Sequence, residues 1–419
     1  MPAAVAVTGL GVLTSIGRGS EAFAAALRRG ACGITASNAD GLGVAGRLPP
    51  FDLGTTLADM RLPEPLLGRA LKAGRRAPLS QQASLLTALE AWTQAFGGNT
   101  TGAAAASIIV AGNNVAPGYS YRMREKYADN FGVVPASYAL HFLDTDQVGI
   151  LSEVLGIRGE GFTIGGASAS GNMGILQAWR QIRYGIADVC VVVGALTDLS
   201  PLELQAFRNT GALGGTRYAA QPEEACRPFD RDREGFIYGQ GSACLILESA
   251  ASARARGARV LGYVAGAATC LDANRLSNPS VEGEARAMRL ALEQAGLLPD
   301  AVNYVNAHAT SSLAGDEVEV KALQEVFGPR VSRVAINATK GLTGHCLHAA
   351  GVVEAAATLL QMNGRFLHPN RNLRKPIEQT CGFAGESTRD LDIQAALSNS
   401  FGFGGINTAV VLTKSGGSM

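Results

Sequence analysis

The stretch Gly161–Arg180, GFTIGGASASGNMGILQAWR, decides how the rest of the chain is interpreted. It predicts a short apolar strand over Gly161–Ile164, a crowded turn of small residues, and a helix that buries Trp179. The glycines of the turn permit sharp bends, and Ser168 or Ser170 can cap the helix. Unpaired backbone N–H groups and the positive end of a helix dipole meet at such a turn. The stretch therefore indicates either a nucleophile or anion site, or an ordinary capped turn.

Length and composition describe a large chain that buries much of its surface. Of its 419 residues, 47% are hydrophobic and 17% charged, so we expect one large or two closely packed α/β domains. A net charge of +1 argues against nucleic-acid binding, which usually needs a basic surface. The seven cysteines are an odd number without a CxxC pair, which favours reduced thiols. Since we find neither a basic signal region nor a bilayer-length apolar run, we expect a soluble, cytoplasmic protein with no membrane partner.

The order of strands and helices starts twice along the chain. This favours an internal duplication, with an N-terminal half over residues 1–250 and a C-terminal half over residues 251–419. Residues 115–145 are polar and aromatic, and we expect a cap or a subunit-contact excursion there. The predicted strands are Val5–Val7, Ser107–Ala111, Gly161–Ile164, Val189–Val193, Ser242–Leu247, Val260–Ala267, Val302–Ala307 and Ala409–Leu412; the predicted helices are Glu21–Arg28, Ser80–Phe96, Glu284–Ala295, Asp316–Phe327 and Ala349–Gln361.

Two of the five histidines follow small-residue strand ends. His308 lies in NAHATSSLAGDEVE and His345 in NATKGLTGHCLHAAGVVE. A single histidine of this kind is usually a structural residue with satisfied hydrogen bonds. Two such loops in one α/β sheet favour convergence on a site at the carboxyl ends of the strands.

Three further residues have both a functional and an ordinary interpretation. Lys340 is either a buried charge partner or an exposed loop lysine. Glu319 either pairs with Lys340 or is a first-turn acid that complements the helix dipole. The stretch SNSFGFGGINTAVVL (398–412) predicts a glycine-interrupted aromatic loop before a strand, and its Phe403 either gates a pocket or packs in the core.

Five stretches in this order resemble the β-ketoacyl synthases, the condensing enzymes of fatty acid and polyketide assembly. They are VAVTGLGVLTSIG near the start, RPFDRDREGFIYGQGSACLILES in the middle, the two histidine loops, and SNSFGFGG. The resemblance implies an α/β thiolase fold, with two duplicated halves in an αβαβα layered arrangement. A less similar alternative on the same fold is a thiolase or another CoA-thioester enzyme.

The resemblance also implies roles for particular residues. In this family a nucleophilic cysteine at the start of the central helix takes the acyl chain. Two histidines bind the thioester carbonyl of a malonyl group and stabilise the enolate formed when CO2 leaves. The histidines fall on His308 and His345, the lysine on Lys340, the glutamate on Glu319 and the gating phenylalanine on Phe403.

The nucleophile does not carry over. Where the family has T-A-C-S/T-S-G, this chain has GASASG over residues 166–171, with Ser168 at the cysteine position. A thiol at a helix N-terminus is readily ionised, whereas a serine needs an oriented base to attack a thioester. No Ser–His–Asp arrangement is readable in the sequence. We therefore expect impaired acyl loading and a decarboxylation site that keeps its histidine pair.

The GGASASG run and GALTDLSPLELQAFRNTGAL (194–213) resemble the freestanding Cys-to-Ser synthase-like proteins of polyketide β-branching cassettes. This implies a decarboxylase that converts malonyl-acyl-carrier protein to acetyl-acyl-carrier protein for a hydroxymethylglutaryl-CoA-synthase-like partner. We expect no metal and no cofactor of its own, because the phosphopantetheine arm belongs to the carrier protein. The alternatives are a Ser-dependent acyltransferase or ketosynthase, and a non-catalytic ketosynthase partner subunit.

Two surfaces are expected to contact partners. The resemblance implies a C2 homodimer paired through the strand Gly161–Ile164, which would otherwise be an exposed sheet edge. Carrier proteins are usually acidic, so Arg75, Arg76 and Arg208 are candidates for docking. Ordinary solvated arginines are the alternative.

Overall fold

The computed structural model describes residues 3–37, 43–275 and 278–416. In this part of the chain the strands are β1 Val5–Thr14, β2 Gly17–Arg18, β3 Thr35–Ser37, β4 Gly43–Ala45, β5 Ser107–Ala111, β6 Gly161–Ile164, β7 Val189–Gly194, β8 Gly241–Ser249, β9 Gly262–Leu271, β10 Tyr304–Asn306, β11 Ala335–Asn337, β12 Phe366–Leu367, β13 Arg389–Asp390, β14 Ala395–Gly402 and β15 Ile406–Thr413. The helices are α1 Ser20–Arg29, α2 Leu53–Asp59, α3 Glu64–Gly74, α4 Leu79–Phe96, α5 Pro117–Lys126, α6 Tyr138–His141, α7 Thr145–Leu155, α8 Ser170–Arg183, α9 Pro201–Asn209, α10 Ala250–Ala255, α11 Val281–Ala295, α12 Leu313–Phe327, α13 Lys340–Thr343 and α14 Ala350–Gly364.

The main sheet repeats one strand order twice. Its strands run β11-β10-β14-β15-β9-β1-β8-β7-β5-β6. In the N-terminal half, β1 pairs antiparallel with β8, β8 pairs antiparallel with β7, and β5 and β6 then follow in parallel. In the C-terminal half, β9 pairs antiparallel with β15, β15 pairs antiparallel with β14, and β10 and β11 then follow in parallel. The halves join where β1 pairs antiparallel with β9. The predicted duplication is therefore confirmed, while a boundary placed at residue 250 stays a prediction.

Helices on both faces of the sheet complete the layers. The central helices α8 and α14 contact strands of both halves, α4 packs on β1 and β8, and α11 packs on β9 and β15. Strands such as β7, VCVVVG, are almost fully buried because helices cover both of their faces. The layers therefore run from α4 to the strands of the N-terminal half, then to α8 and α14 in the centre, then to the strands of the C-terminal half, and finally to α11. This order confirms the αβαβα arrangement of the thiolase fold.

The two central helices begin with matching turns. A 3₁₀ turn precedes each helix, Ala167–Ala169 before α8 and Leu347–Ala349 before α14. The first residue of each turn, Ala167 and Leu347, has a positive φ of 48° and 50° respectively, a value that residues other than glycine rarely adopt. Gly171 and Gly351 meet where the helices cross, since a Cβ on Gly171 would lie 2.8 Å from the Gly351 nitrogen. The duplication therefore extends to the geometry of these turns.

The structure changes one element and clarifies another. The segment 398–402, expected as a glycine-interrupted loop, is the end of β14, which forms a hairpin with β15. The loop itself is confined to the few residues between those strands. Residues 115–145 form α5, α6 and connecting turns, with exposed apolar side chains that include Phe131, Val133 and Leu140. Within the described residues, no helix is long and apolar enough to cross a membrane.

Candidate active site

Ser168 lies in the tight turn that leads into α8, and its side chain faces a histidine. The Ser168 Oγ and His345 Nε2 atoms are 2.8 Å apart. Ser170 stabilises the turn, because its Oγ accepts the Gly166 N–H at 2.8 Å and donates to the Ala167 carbonyl at 2.7 Å. The helix N-cap makes no side-chain hydrogen bond. The expectation that Ser168 caps the helix is therefore wrong, and its hydroxyl belongs to the site.

The tautomer of His345 follows from its second nitrogen. His345 Nδ1 accepts the Leu347 backbone N–H at 3.3 Å. In a neutral ring, a nitrogen that accepts a hydrogen bond carries no proton, so the proton is assigned to Nε2. His345 consequently donates the bond to Ser168 and does not act as its base. Since a backbone amide occupies Nδ1, His345 lacks the carboxylate partner of a Ser–His–Asp triad.

His308 is brought next to His345 by the loop after β10. The two rings are 5.7 Å apart between centroids and nearly perpendicular, at 85°. Glu319 on α12 fixes this loop, because its carboxylate accepts the backbone N–H groups of His308 at 2.9 Å and Ala309 at 2.7 Å. The Asn399 amide donates to the same carboxylate at 3.1 Å. Glu319 thus positions His308.

Lys340 is buried beneath the two histidines and pairs with Glu354 on α14. Burial, followed by the positive charge of Lys340, lowers the pKa of both His308 and His345 well below the usual range of histidine. Both rings are therefore neutral near pH 7. The lysine is a buried charge partner, as one interpretation of the sequence held, but its ion-pair partner is Glu354 rather than Glu319.

Ser168, His308 and His345 open onto one cavity of about 810 Å³. Phe403 lines it, is 45% exposed, and lies 6.2 Å from Phe207 between ring centroids. This placement excludes the core interpretation of Phe403, and a gating role stays a prediction. The β14 end packs tightly here, since a Cβ on Gly402 would lie 2.4 Å from the Gly166 carbonyl oxygen.

Two functional positions were missed in the sequence. His348 lines the same cavity and shares a hydrogen bond of 2.7 Å with the Thr197 hydroxyl. Burial lowers the pKa of His348 to about 4, so this ring is also neutral. The sequence signal that could have identified His348 is its position three residues after His345, in the same loop. Glu354 gave no such signal, because it lies fourteen residues beyond Lys340 inside an apolar helix.

The candidate docking arginines lie apart from this chemistry. Arg75 and Arg76 are exposed in the connection between α3 and α4, while Arg208 is half-buried on α9. Phe207, the neighbour of Arg208, lines the cavity, as do residues 210–212 that follow it. Among the described residues, no group of three or more His, Cys, Asp or Glu side chains is arranged to hold a metal ion.

The fold has known relatives among the ketosynthases. The model of the β-ketoacyl synthase N-terminal domain matches residues 3–253, and the model of its C-terminal domain matches residues 261–374. The chain belongs to the β-ketoacyl synthase family.

Among curated proteins, the chain is similar to the polyketide biosynthesis malonyl-ACP decarboxylase PksF of Bacillus subtilis. The two are 41% identical over 408 residues, which cover 97% of this chain and 96% of that protein. It is also 30% identical to 3-oxoacyl-(acyl-carrier-protein) synthase 2 of Coxiella burnetii, over 98% of both chains.

Solved structures of ketosynthases superpose on nearly the whole chain. The ishigamide ketosynthase/chain length factor covers 99% of it with a TM-score of 0.85 and 26% identity, and is itself covered completely. A ketosynthase in complex with its type II PKS acyl-carrier protein, bound to the hexaketide, gives a TM-score of 0.84 at 25% identity, with 99% of this chain and 100% of that chain covered.

Proposed function

We propose that this protein decarboxylates malonyl-acyl-carrier protein to acetyl-acyl-carrier protein without condensing it. The similarity to a malonyl-ACP decarboxylase over 97% of the chain supports the substrate and the reaction. The site supports the same reaction, because it combines two neutral histidines with a serine at the position of the family's nucleophile. The observation that carries the proposal is the Leu347 N–H donated to His345 Nδ1, which assigns the ring proton to the nitrogen facing Ser168.

The histidines account for loss of CO2. The thioester oxygen of the malonyl group takes the place of the Ser168 hydroxyl as acceptor of the His345 Nε2–H, and His308 supplies the second donor. When the bond between the α-carbon and the carboxylate breaks, its electrons move onto this oxygen as an enolate. Two positioned donors stabilise the developing negative charge. A neutral imidazole still has one N–H with which to donate.

Ser168 does not load an acyl chain. A serine becomes nucleophilic when a base removes its proton, and His345 offers Ser168 an N–H rather than a lone pair. Malonyl can therefore bind and lose CO2, whereas no acyl-enzyme waits for the enolate. The enolate takes a proton and leaves as an acetyl group on the carrier protein.

The test is to incubate the protein with malonyl-loaded carrier protein and follow the intact mass of both. Loss of CO2 from the carrier protein, with no change in the enzyme, is the expected result. His308→Ala should slow this loss on the order of 10²–10³-fold, while His141→Ala, outside the cavity, serves as the matched control. A mass gain on the enzyme would instead support a Ser-dependent acyltransferase. No change in either protein would support a non-catalytic partner subunit.

The carrier protein is proposed to dock through Arg75, Arg76 and Arg208, the last of which directly follows the cavity-lining Phe207 on α9. The solved complex of a similar ketosynthase with its acyl-carrier protein supports this class of partner. The phosphopantetheine arm reaches the site as part of that substrate, and we propose no cofactor of the enzyme itself. Arg76→Glu combined with Arg75→Glu should raise KM for malonyl-carrier protein and leave a small malonyl thioester unaffected. Equal losses with both substrates would count against docking.

A C2 homodimer is proposed through β6, the last strand at one edge of the sheet. Its residues are half-buried or exposed in the single chain, and the apolar side chains of 115–145 are exposed as well. Pairing of β6 across a two-fold axis would satisfy its free backbone edge. Light scattering at micromolar concentration should give a dimeric mass, and a monomeric mass would contradict this assignment.

We also propose that the acetyl group serves polyketide β-branching, with a hydroxymethylglutaryl-CoA-synthase-like enzyme as the next partner in a cytoplasmic pathway. The polyketide assignment of the Bacillus subtilis relative supports the pathway class. The seven free cysteines support a reducing compartment. Transfer of acetyl from the product carrier protein to such an enzyme, followed by mass spectrometry, tests the partner.

A further inference from the structure

Glu284 is a buried carboxyl group that lines the same cavity as the histidine pair. It lies in the first turn of α11 and is 1% exposed. Its Oε2 atom has no hydrogen-bond partner among the described residues. An ionised carboxylate in such surroundings would be costly, because Oε2 is desolvated and receives no donor from the described residues. The carboxyl group is therefore stable when it keeps its proton.

The groups facing Glu284 are acidic. Asp272 lies just beyond β9, and Asp316 and Glu319 lie on α12; both elements pack against α11. Burial, followed by the charges of Glu319, Asp272 and Asp316, raises the pKa of Glu284 well above its ordinary value. From β15, the neutral Asn407 completes the neighbourhood. A proton on Glu284 is thus retained where most carboxyl groups have lost theirs.

Contacts on one side tie Glu284 to the wall of the cavity. The preceding residue, Gly283, touches the pair formed by Asp272 and Asn407, whose hydrogen bond measures 2.7 Å. A Cβ on Gly283 would lie 1.7 Å from Asp272 Oδ1, so glycine is required for this approach. Asp272 and Asn407 line the cavity together with Glu284.

Contacts on the other side tie the same helix to His308. One turn after Glu284, the Met288 sulfur accepts a hydrogen bond from the Asn399 side-chain amide at 3.4 Å. The same amide donates to Glu319, which holds the backbone N–H of His308. The helix that carries Glu284 is thus fixed to the group that positions a catalytic histidine.

We propose that Glu284 is the general acid that protonates the acetyl enolate. This role rests on the proposed decarboxylation and completes it. Breaking the bond to CO2 leaves an electron pair on the α-carbon and the thioester oxygen. The Glu284 carboxyl gives its proton to that carbon, which forms the acetyl group, and water later returns a proton to the carboxylate. A condensing enzyme needs no such donor, because an acyl group captures the enolate.

The two histidines, Ser168 and Glu203 are poorer donors than Glu284. His308 and His345 are neutral, and a neutral imidazole is a very weak acid. The Ser168 hydroxyl is far less acidic than a carboxyl group. Glu203 is already engaged, since it accepts the Ser200 backbone N–H at 3.0 Å. Because a general acid works best with a pKa near the working pH, a raised carboxyl pKa suits Glu284 to this step.

The experiment compares Glu284→Gln with Glu282→Gln in acetyl-carrier protein formation across pH. Glu284→Gln should lower kcat on the order of 10²–10⁴-fold, while Glu282→Gln, exposed two residues earlier, should resemble the parent. The parent's kcat should fall at alkaline pH as Glu284 loses its proton, and this limb should vanish in Glu284→Gln. Glu284→Asp keeps an acid and should retain the limb with a lower kcat.

Three results would overturn this role. A Glu284→Gln variant with the kcat of the parent would contradict the general-acid role. A Glu284→Gln variant that loses activity but keeps the decrease in kcat at alkaline pH would contradict it as well. Loss of the limb in Glu284→Asp as well would show a structural role. Each of these leaves the decarboxylase activity of the parent intact. A parent protein without decarboxylation would instead overturn the proposed function, and with it the proton donor.

Discussion

Replacing Ser168 by alanine separates a hydrogen-bonding role of this residue from a covalent one. The substitution removes the acceptor of the His345 Nε2–H, measured at 2.8 Å, and leaves the backbone of the turn unchanged. The ring keeps its tautomer, because the Leu347 N–H still binds Nδ1. When the thioester oxygen accepts the His345 N–H, the displaced Ser168 hydroxyl is expected to hydrogen-bond the malonyl group instead. Ser168→Ala therefore removes one neutral hydrogen bond to the substrate and retains both histidine donors.

The size of the effect follows from that single bond. A neutral hydrogen bond contributes about 0.5–1.5 kcal/mol, and about 1.4 kcal/mol corresponds to one decade in rate. Ser168→Ala should thus lower kcat for malonyl-carrier protein by about tenfold or less. The assay is the intact mass of the carrier protein over time, with thermal unfolding as the control for folding.

Two outcomes would refute this reasoning. Complete inactivity of a folded Ser168→Ala protein would mean that the hydroxyl takes part in bond making. Accumulation of an acyl-Ser168 species during turnover would mean that some base does activate it. Ser168→Cys supplies the complementary measurement, since a thiol at this helix N-terminus should gain self-acylation.

Three further predictions concern the groups around Ser168. His308→Ala should lower kcat on the order of 10²–10³-fold, as for loss of one oxyanion donor, and near-parental turnover would contradict the mechanism. Lys340→Met leaves Glu354 buried without its partner and should cost about 3–5 kcal/mol in urea unfolding; exposed Lys321→Met is the control, and equal costs would refute the buried pair. Because both histidines have strongly lowered pKa values, kcat should show no inflection near pH 6.5, and one that disappears in His345→Gln would be contrary evidence.

The two site histidines could be predicted from the sequence because they follow the ends of strands. His308 and His345 follow short runs of small and apolar residues, so their convergence could be inferred from the rule that strand ends share one edge of a sheet. The strand at 107–111 has the same bounds in the structure, since five consecutive buried residues are flanked by turn signals. Ser168 was identified through its place in the family's motif.

Long-range pairings could not be predicted. The carboxylate of Glu354 lies among alanines and valines of α14, where helical periodicity gives no reason to expect a charge partner. In the sequence Glu284 is only the residue at which a predicted helix begins, and the structure is needed to place it against the cavity. Residues 398–402 of β14 are predicted as a loop because glycines interrupt the apolar residues there. Hydrogen-bonded pairing with β15 overrides that local signal.

The matching turns before α8 and α14 place Ser168 and His348 at equivalent positions, each directly after the residue with positive φ. The second turn holds a neutral imidazole against Thr197, whereas the first presents the Ser168 hydroxyl to His345. One backbone arrangement thus carries two different side chains, and the residue that follows the positive-φ position determines what each turn presents to the cavity.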